Sequence, residues 1–171
     1  MNVLINVLLV LGTVALMEFV AYATHRWVMH GPLGWRWHKS HHEETHGPFE
    51  KNDLYAVCFA VVAIALFAAG SLWWGRLTWI ATGVTLYGLI YFIVHDGLVH
   101  QRWPFRYVPR KGYLRRLYQA HRLHHAVEGR EGCVSFGFIY APPVPDLKRQ
   151  LQGNKSIRPE LRPEVSPRQD V

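Results

Sequence analysis

Cysteine is nearly absent: Cys58 and Cys133 are the only two, and neither belongs to a CxxC pair. That scarcity excludes a disulfide framework and a thiolate metal site, and it predicts two buried free thiols. Residues 54–74 hold no charged side chain at all, which is foreign to a soluble helix. The N-terminal apolar run has no positively charged region before it. It therefore reads as a retained anchor rather than a cleaved signal peptide, despite Ala21-Tyr22-Ala23. Acidic residues are few, twelve Asp and Glu against nineteen Lys and Arg. The excess is concentrated in residues 102–131, where eight Arg and Lys face only Glu128 and Glu131. No nucleic-acid-binding motif accompanies this basic stretch, so no nucleic-acid partner is expected.

What is present is apolar and segregated. Half of the 171 residues are hydrophobic, yet mean hydropathy is −0.01. A bilayer crossing takes about 20 apolar residues, and three runs qualify, at about 3–24, 54–74 and 77–94. Only Gly75 and Arg76 separate the second run from the third, which predicts a tight helical hairpin. The expected fold is an all-α integral membrane protein with three transmembrane helices. A fourth apolar stretch, 133–143, is too short to span, so it is either re-entrant or packed on the rest. Residues 144–171 mix proline and charge without an apolar period and are expected to be a disordered tail behind one domain, 1–143.

Histidine dominates the chemistry. Ten of the eleven form one pattern written twice: His25 and His30, then His38, His41 and His42; and again His95 and His100, then His121, His124 and His125. The spacings are H-x4-H and H-x2-H-H. Positions i, i+3 and i+4 share a helix face, so each H-x2-H-H is expected to aim its three rings at one place. The H-x4-H pair lies about 140° apart on an α-helix. It must either serve two ions or distort the helix. Two crossings separate the halves, so all ten rings reach one membrane face. The basic residues make that face cytoplasmic. His46 lies outside the pattern and is expected not to ligate.

Imidazole suits iron, zinc, copper and nickel. A zinc site takes four ligands or three plus water, and ten imidazoles exceed that need. Two iron ions with open positions fit the count better. The carboxylate-bridged di-iron bundle requires two Glu-x-x-His motifs and two further glutamates. The chain has one such motif, Glu43 to His46, and is excluded from that class. Asp96, four residues before His100, is a candidate to orient a ligand. Glu18, buried in the first span, is expected to pair with a polar group of another helix, or to support the site.

Four motifs in this order resemble the membrane-bound fatty acid hydroxylase superfamily of histidine-rich di-iron enzymes. Within it, the stretches HRWVMHGPLGWRWHKSHH, FEKNDLYAVCFA and VHDGLVHQRWPFRYVPRKGYLRRLYQAHRLHHAVEGREGCVSFGFIYAPP closely resemble the bacterial β-carotene 3-hydroxylases. The resemblance covers about residues 18–143 and has no departure at the ten histidines. It implies a non-haem di-iron monooxygenase with those ten as iron ligands. The substrate would be a carotenoid taken from membrane lipid and hydroxylated at C3 of the β-ionone ring, β-carotene giving zeaxanthin and canthaxanthin giving astaxanthin. Oxygen and two electrons, from a ferredoxin-type carrier, would be consumed per hydroxylation. The location would be the bacterial cytoplasmic (inner) membrane.

Two other readings fit part of the pattern. A related hydroxylase or desaturase of acyl chains or sterols would carry similar histidines. A metal transporter or sensor would place ionisable ligands along the membrane interior, where this chain has few.

Overall fold

The computed structural model describes residues 3–43, 49–104, 106–154 and 156–158. Six α-helices make up the architecture, with no strand among the described residues. Helix α1 (Val3–Ala23) runs on into a π-helical segment, Thr24–Met29. The short helix α2 (Trp35–His42) follows, and then α3 (Asp53–Leu72) and α4 (Arg76–Tyr91) form the expected hairpin. Helix α4 also continues as a π segment, Phe92–Val99. The chain closes with α5 (Gly112–His124) and α6 (Val144–Leu151).

Three continuous helical rods, Val3–Met29, Asp53–Leu72 and Arg76–Val99, are long and apolar enough to cross a membrane, with mean hydropathies of 2.4, 2.3 and 1.8. Their surfaces are inside-out relative to a soluble protein. Leu4, Leu8, Leu11 and Phe19 of α1 and Val57, Val61, Ile64 and Leu72 of α3 all point outward. In water such a surface would aggregate, whereas in lipid it costs nothing. Cys58 is exposed on that same outer face and Cys133 is half-buried. Neither is the fully buried thiol expected, in the case of Cys58 because both faces of a lipid-exposed helix read as apolar.

Between helices the packing relies on small residues. A Cβ on Gly83 of α4 would lie 2.5 Å from the Thr13 Cβ of α1, so only glycine allows that approach. A membrane-side core joins Met17, Ala21, Ala63, Val84 and Tyr87 with Phe138. A second core lies under the histidine helices and joins Val99, Leu117, Ala120, Val127 and Val134 to Leu147, Leu151 and Ile157.

That second core extends past residue 143, where the sequence placed the domain's end. Helix α6 inserts Leu147 and Leu151, 1% and 5% exposed, against α5. Residues 156–158 then pair with 126–128: Glu128 N–H donates to Ser156 O, and Arg158 N–H to Ala126 O. Two leucines four apart in an eight-residue helix are too short a signal against the surrounding proline and charge. The expected disorder beyond 158 lies outside the described residues.

Candidate metal centre

The two H-x4-H pairs fall on the two π segments. Backbone N–H of His30 donates to His25 O at 3.1 Å, and that of His100 to His95 O at 2.9 Å. An i→i+5 bond stacks residue five over residue zero, as an i→i+4 bond stacks residue four in an α-helix. The extra residue therefore cancels the 140° offset and turns each pair toward one place. Of the two alternatives left open by the spacing, local distortion is the one adopted.

Helices α2 and α5 supply the remaining rings and divide them. His25, His30, His38 and His124 form one group, His41, His95, His100 and His121 another, with ligand atoms mutually within 4.8 Å in each. His42 packs on the first group, 5.0 Å from His38 and His124 by ring centroids. His125 packs on the second, 4.8 Å from His41 and His100. Each H-x2-H-H is thus split between clusters, contrary to the expectation that its three rings converge. Sharing a helix face fixes direction only, and a step of three residues also moves a ring about 4.5 Å along the axis. Exchanging His25, His30, His38, His41 and His42 with His95, His100, His121, His124 and His125 maps one cluster onto the other.

All ten rings but His100 and His125 are buried. Burial pushes the pKa of His38 down to about 4, of His100 to about 3 and of His42 to about 2. Neighbouring imidazoles add to this at His42, and Arg102 adds to it at His100. His30, His41, His121, His124 and His125 are lowered for the same principal reason. These rings are neutral near pH 7, the form that binds metal.

Their tautomers follow from the acceptors. His25 Nδ1 donates to Phe136 O, His30 Nδ1 to Arg130 O and His124 Nδ1 to Val134 O, each at 2.9 Å. His38 Nδ1 donates to Asn52 Oδ1, His41 Nδ1 to Glu50 Oε2 and His95 Nδ1 to Asp96 Oδ1. Carbonyls and carboxylates only accept, so the proton sits on Nδ1 and each Nε2 is a bare lone pair. Those lone pairs face one another: His30 and His124 at 3.1 Å, His25 and His38 at 3.2 Å, His41 and His95 at 3.0 Å. Without a cation between them such contacts are repulsive.

Spacing also bears on the coordination. Around an ion with bonds of about 2.1 Å, nitrogens at a right angle lie about 3.0 Å apart and tetrahedral ones about 3.4 Å. His100 and His121, and His121 and His125, likewise have Nε2 atoms 3.0 Å apart. The donor set fits two metal ions, each within reach of at least four imidazoles.

Asp96 and Glu18 are both engaged, though not as spacing implied. Asp96 accepts the Nδ1–H of its neighbour His95 rather than that of His100. Glu18 pairs across helices as expected, accepting Tyr87 Oη–H at 2.7 Å. Its other oxygen accepts the backbone N–H groups of Phe138, Ile139 and Tyr140. Residues 133–143 are thereby tied beneath the clusters, with Phe138 stacked on His25 at 5.0 Å. That segment is packed on the site. Glu50, Asn52 and the carbonyls of Val134 and Phe136 had no sequence signal, since no periodicity links a loop acceptor to a distant ring. His46 lies outside the described residues.

A cleft of about 250 Å³, lined by His41, His42, His100, His121, His125, Arg122 and Arg158, reaches the rings. Arg158 donates to the His42 carbonyl at 2.6 Å, fastening the end of α2.

The sequence profile of the fatty acid hydroxylase family matches residues 10–142. A β-carotene hydroxylase of Paracoccus sp. (strain PC1) is 69% identical over 153 residues, covering 90% of this chain and 94% of the relative. That of Paracoccus sp. (strain N81106 / MBIC 01143) is 67% identical, covering 91% and 96%, and that of Pantoea ananas 60% identical, covering 90% and 87%. No solved structure matches this chain. A neutral ten-histidine cage at the end of three lipid-facing helices, a matching profile and relatives this similar lead to one conclusion: the chain belongs to the fatty acid hydroxylase family.

Proposed function

We propose that this chain is a di-iron monooxygenase that hydroxylates carotenoid β-ionone rings at C3, with the ten motif histidines as iron ligands. The observation that carries the metal reading is the set of Nε2 lone pairs facing one another at 3.0–3.2 Å. The substrate comes from the relatives, which are named β-carotene hydroxylases. Successive hydroxylation of β-carotene would give β-cryptoxanthin and zeaxanthin, and canthaxanthin would give astaxanthin.

When bound, iron supplies the activation of O2 that attack on an unactivated C–H bond requires. The chain's own groups prepare the place. Burial keeps the imidazoles neutral, and the acceptors at Nδ1 fix ring orientation and tautomer. Phe136, Phe138 and Tyr91 pack against His25 and His95 and exclude water from the membrane side. The cleft bounded by His42, His100 and Arg158 gives O2 its path. Exposed apolar helices let a water-insoluble carotenoid arrive through lipid. Two electrons per turnover come from a ferredoxin-type carrier, for which the basic residues of 102–131 are a suitable face. Those same residues orient the site toward the cytoplasm, in the bacterial inner membrane.

Expression in a host that accumulates β-carotene tests the assignment, with parallel supply of canthaxanthin. Zeaxanthin and astaxanthin are the expected products. A folded, iron-loaded protein with reductant that yields neither would overturn the carotenoid reading, and hydroxylated acyl lipid in their place would move the substrate within the family.

A further inference from the structure

The two clusters are related by the exchange of halves, but their supports are not. His25 and His124 in the first cluster correspond to His95 and His41 in the second. The first pair donates to backbone carbonyls, those of Phe136 and Val134. The second pair donates to carboxylates, Asp96 Oδ1 at 2.7 Å and Glu50 Oε2 at 2.8 Å. His38, also of the first cluster, donates to the neutral Asn52 amide. No described hydrogen bond joins a first-cluster ring to a carboxylate.

The segments that carry these carboxylates are tied into one network. Arg102 grips Asp53 with two nitrogens at 2.9 and 2.8 Å and lies 3.7 Å from Asp96. Asp53 in turn accepts the Glu50 backbone N–H at 2.9 Å. Three carboxylates and the Arg102 guanidinium therefore line one side of the second cluster, whereas His25, His38 and His124 of the first donate to neutral acceptors.

An imidazole whose N–H is drawn toward a carboxylate gains anionic character and becomes a stronger donor at its other nitrogen. Stronger donation favours the higher-charged state of a bound ion. From this we infer that the two metal positions are electronically unequal, with Glu50 and Asp96 making the His41–His95 position the tighter-binding and harder-to-reduce of the two. The inference rests on the di-iron reading above. Glu50 and Asp96 are positioning and tuning residues, since they act through imidazoles and not on substrate.

The test is Mössbauer spectroscopy of the full chain loaded with 57Fe in lipid nanodiscs, with iron counted independently. The expected wild-type spectrum has two components of equal area, and stepwise reduction converts one before the other. Glu50→Gln and Asp96→Asn keep a hydrogen-bond acceptor but remove its charge, as Asn52 already does for His38. Each is expected to make the late-reducing component reduce earlier, and to weaken one of the two iron affinities by about 10- to 100-fold. Glu50→Asp should restore the wild-type order. Should a neutral variant fail to hold iron, His30→Ala and His100→Ala leave one cluster each. The chain retaining the His41–His95 position should then be the harder to reduce. Two irons that reduce together, or single-cluster chains that reduce in the opposite order, overturn the inequality while leaving the di-iron reading intact. Fewer than two irons in the wild type overturns both.

Discussion

His41 and His124, equivalent positions in the two halves, have exchanged places. His124 puts its Nε2 3.1 Å from that of His30, while His41 puts its own 3.0 Å from that of His95. Each half therefore completes the other half's cluster, and neither cluster can form from one half alone. Replacing His124 with alanine should remove the ion held with His25, His30 and His38 first, lowering metal content from two per chain toward one. His41→Ala should do the same for the other position. Metal analysis of purified protein checks both, and on the proposed di-iron reading hydroxylation should be lost in each. Two ions retained in His124→Ala would remove it from the ligand set.

This exchange was hidden in the sequence although the ten histidines were not. Periodicity along His38, His41 and His42 shows which way the rings point, not how far along the axis they stand. With a neighbouring helix on each side, the axial step decides which cluster a ring joins. Likewise the H-x4-H spacing reads as a mismatch on an α-helix and becomes a match only through the i→i+5 turn at His30 and His100. The three membrane helices were legible because a run of about 20 apolar residues suits a bilayer crossing and little else. Helix α6 was not, because its stability comes from Leu147 and Leu151 meeting α5, a contact no local pattern announces.

Besides Gln101 (φ of 51°), which follows His100, a second strained residue next to the clusters is Ser135, with φ of 60°. It stands between Val134 and Phe136, whose carbonyls accept from His124 and His25. The left-handed turn is what lets both carbonyls address neighbouring rings. Ser135→Gly should be neutral or slightly stabilising, since glycine adopts this conformation without cost. Ser135→Val should cost about 1–3 kcal/mol and loosen both rings. Thermal unfolding together with metal retention checks the pair, and a neutral valine would mean the turn is not needed.

Glu18 is the clamp between α1, α4 and residues 133–143. Its two oxygens accept from Tyr87 and from three consecutive backbone N–H groups. Gln retains only one acceptor oxygen and no charge. Glu18→Gln should therefore destabilise the fold by about 2–3 kcal/mol, the usual worth of a hydrogen bond to a charged group. Tyr87→Phe removes one donor and should cost less, about 1 kcal/mol. Unfolding measurements in a fixed detergent rank the two. Equal stability for Glu18→Gln and wild type would show that residues 133–143 are held by packing alone.

Acid should release metal and then weaken the metal-free fold. His38 is lowered from 6.5 to about 4 and His100 from 6.5 to about 3. A ring with a depressed folded pKa binds fewer protons folded than unfolded, so stability falls as pH drops below 6.5 and continues falling to the folded value. Above 6.5 the rings add no pH dependence. Within the window each ring costs up to about 1.4 kcal/mol per pH unit, and bound metal is displaced as protons compete for Nε2. Unfolding temperature and metal content followed from pH 7.5 to 5 should be flat above 6.5 and decline together below it. A decline beginning only under pH 4.5 would assign it to carboxylates instead.

The end of the described chain is the last support of the clusters. Arg158 holds the His42 carbonyl at the C-terminus of α2, where a cation also complements the helix dipole. Ala126, just past α5, accepts from the Arg158 backbone N–H. One residue thus ties together the ends of both H-x2-H-H helices. Removing residues 144–171 should expose the face of α5 that packs on Leu147 and Leu151 and abolish stable metal binding. Leu147→Ala alone should cost about 2–5 kcal/mol, as expected for a fully buried leucine. Removal of 159–171 only should leave metal content unchanged, because Arg158 and helix α6 remain. If the longer truncation kept both ions and its unfolding temperature, α6 would be an ornament and the domain would end at 143 after all.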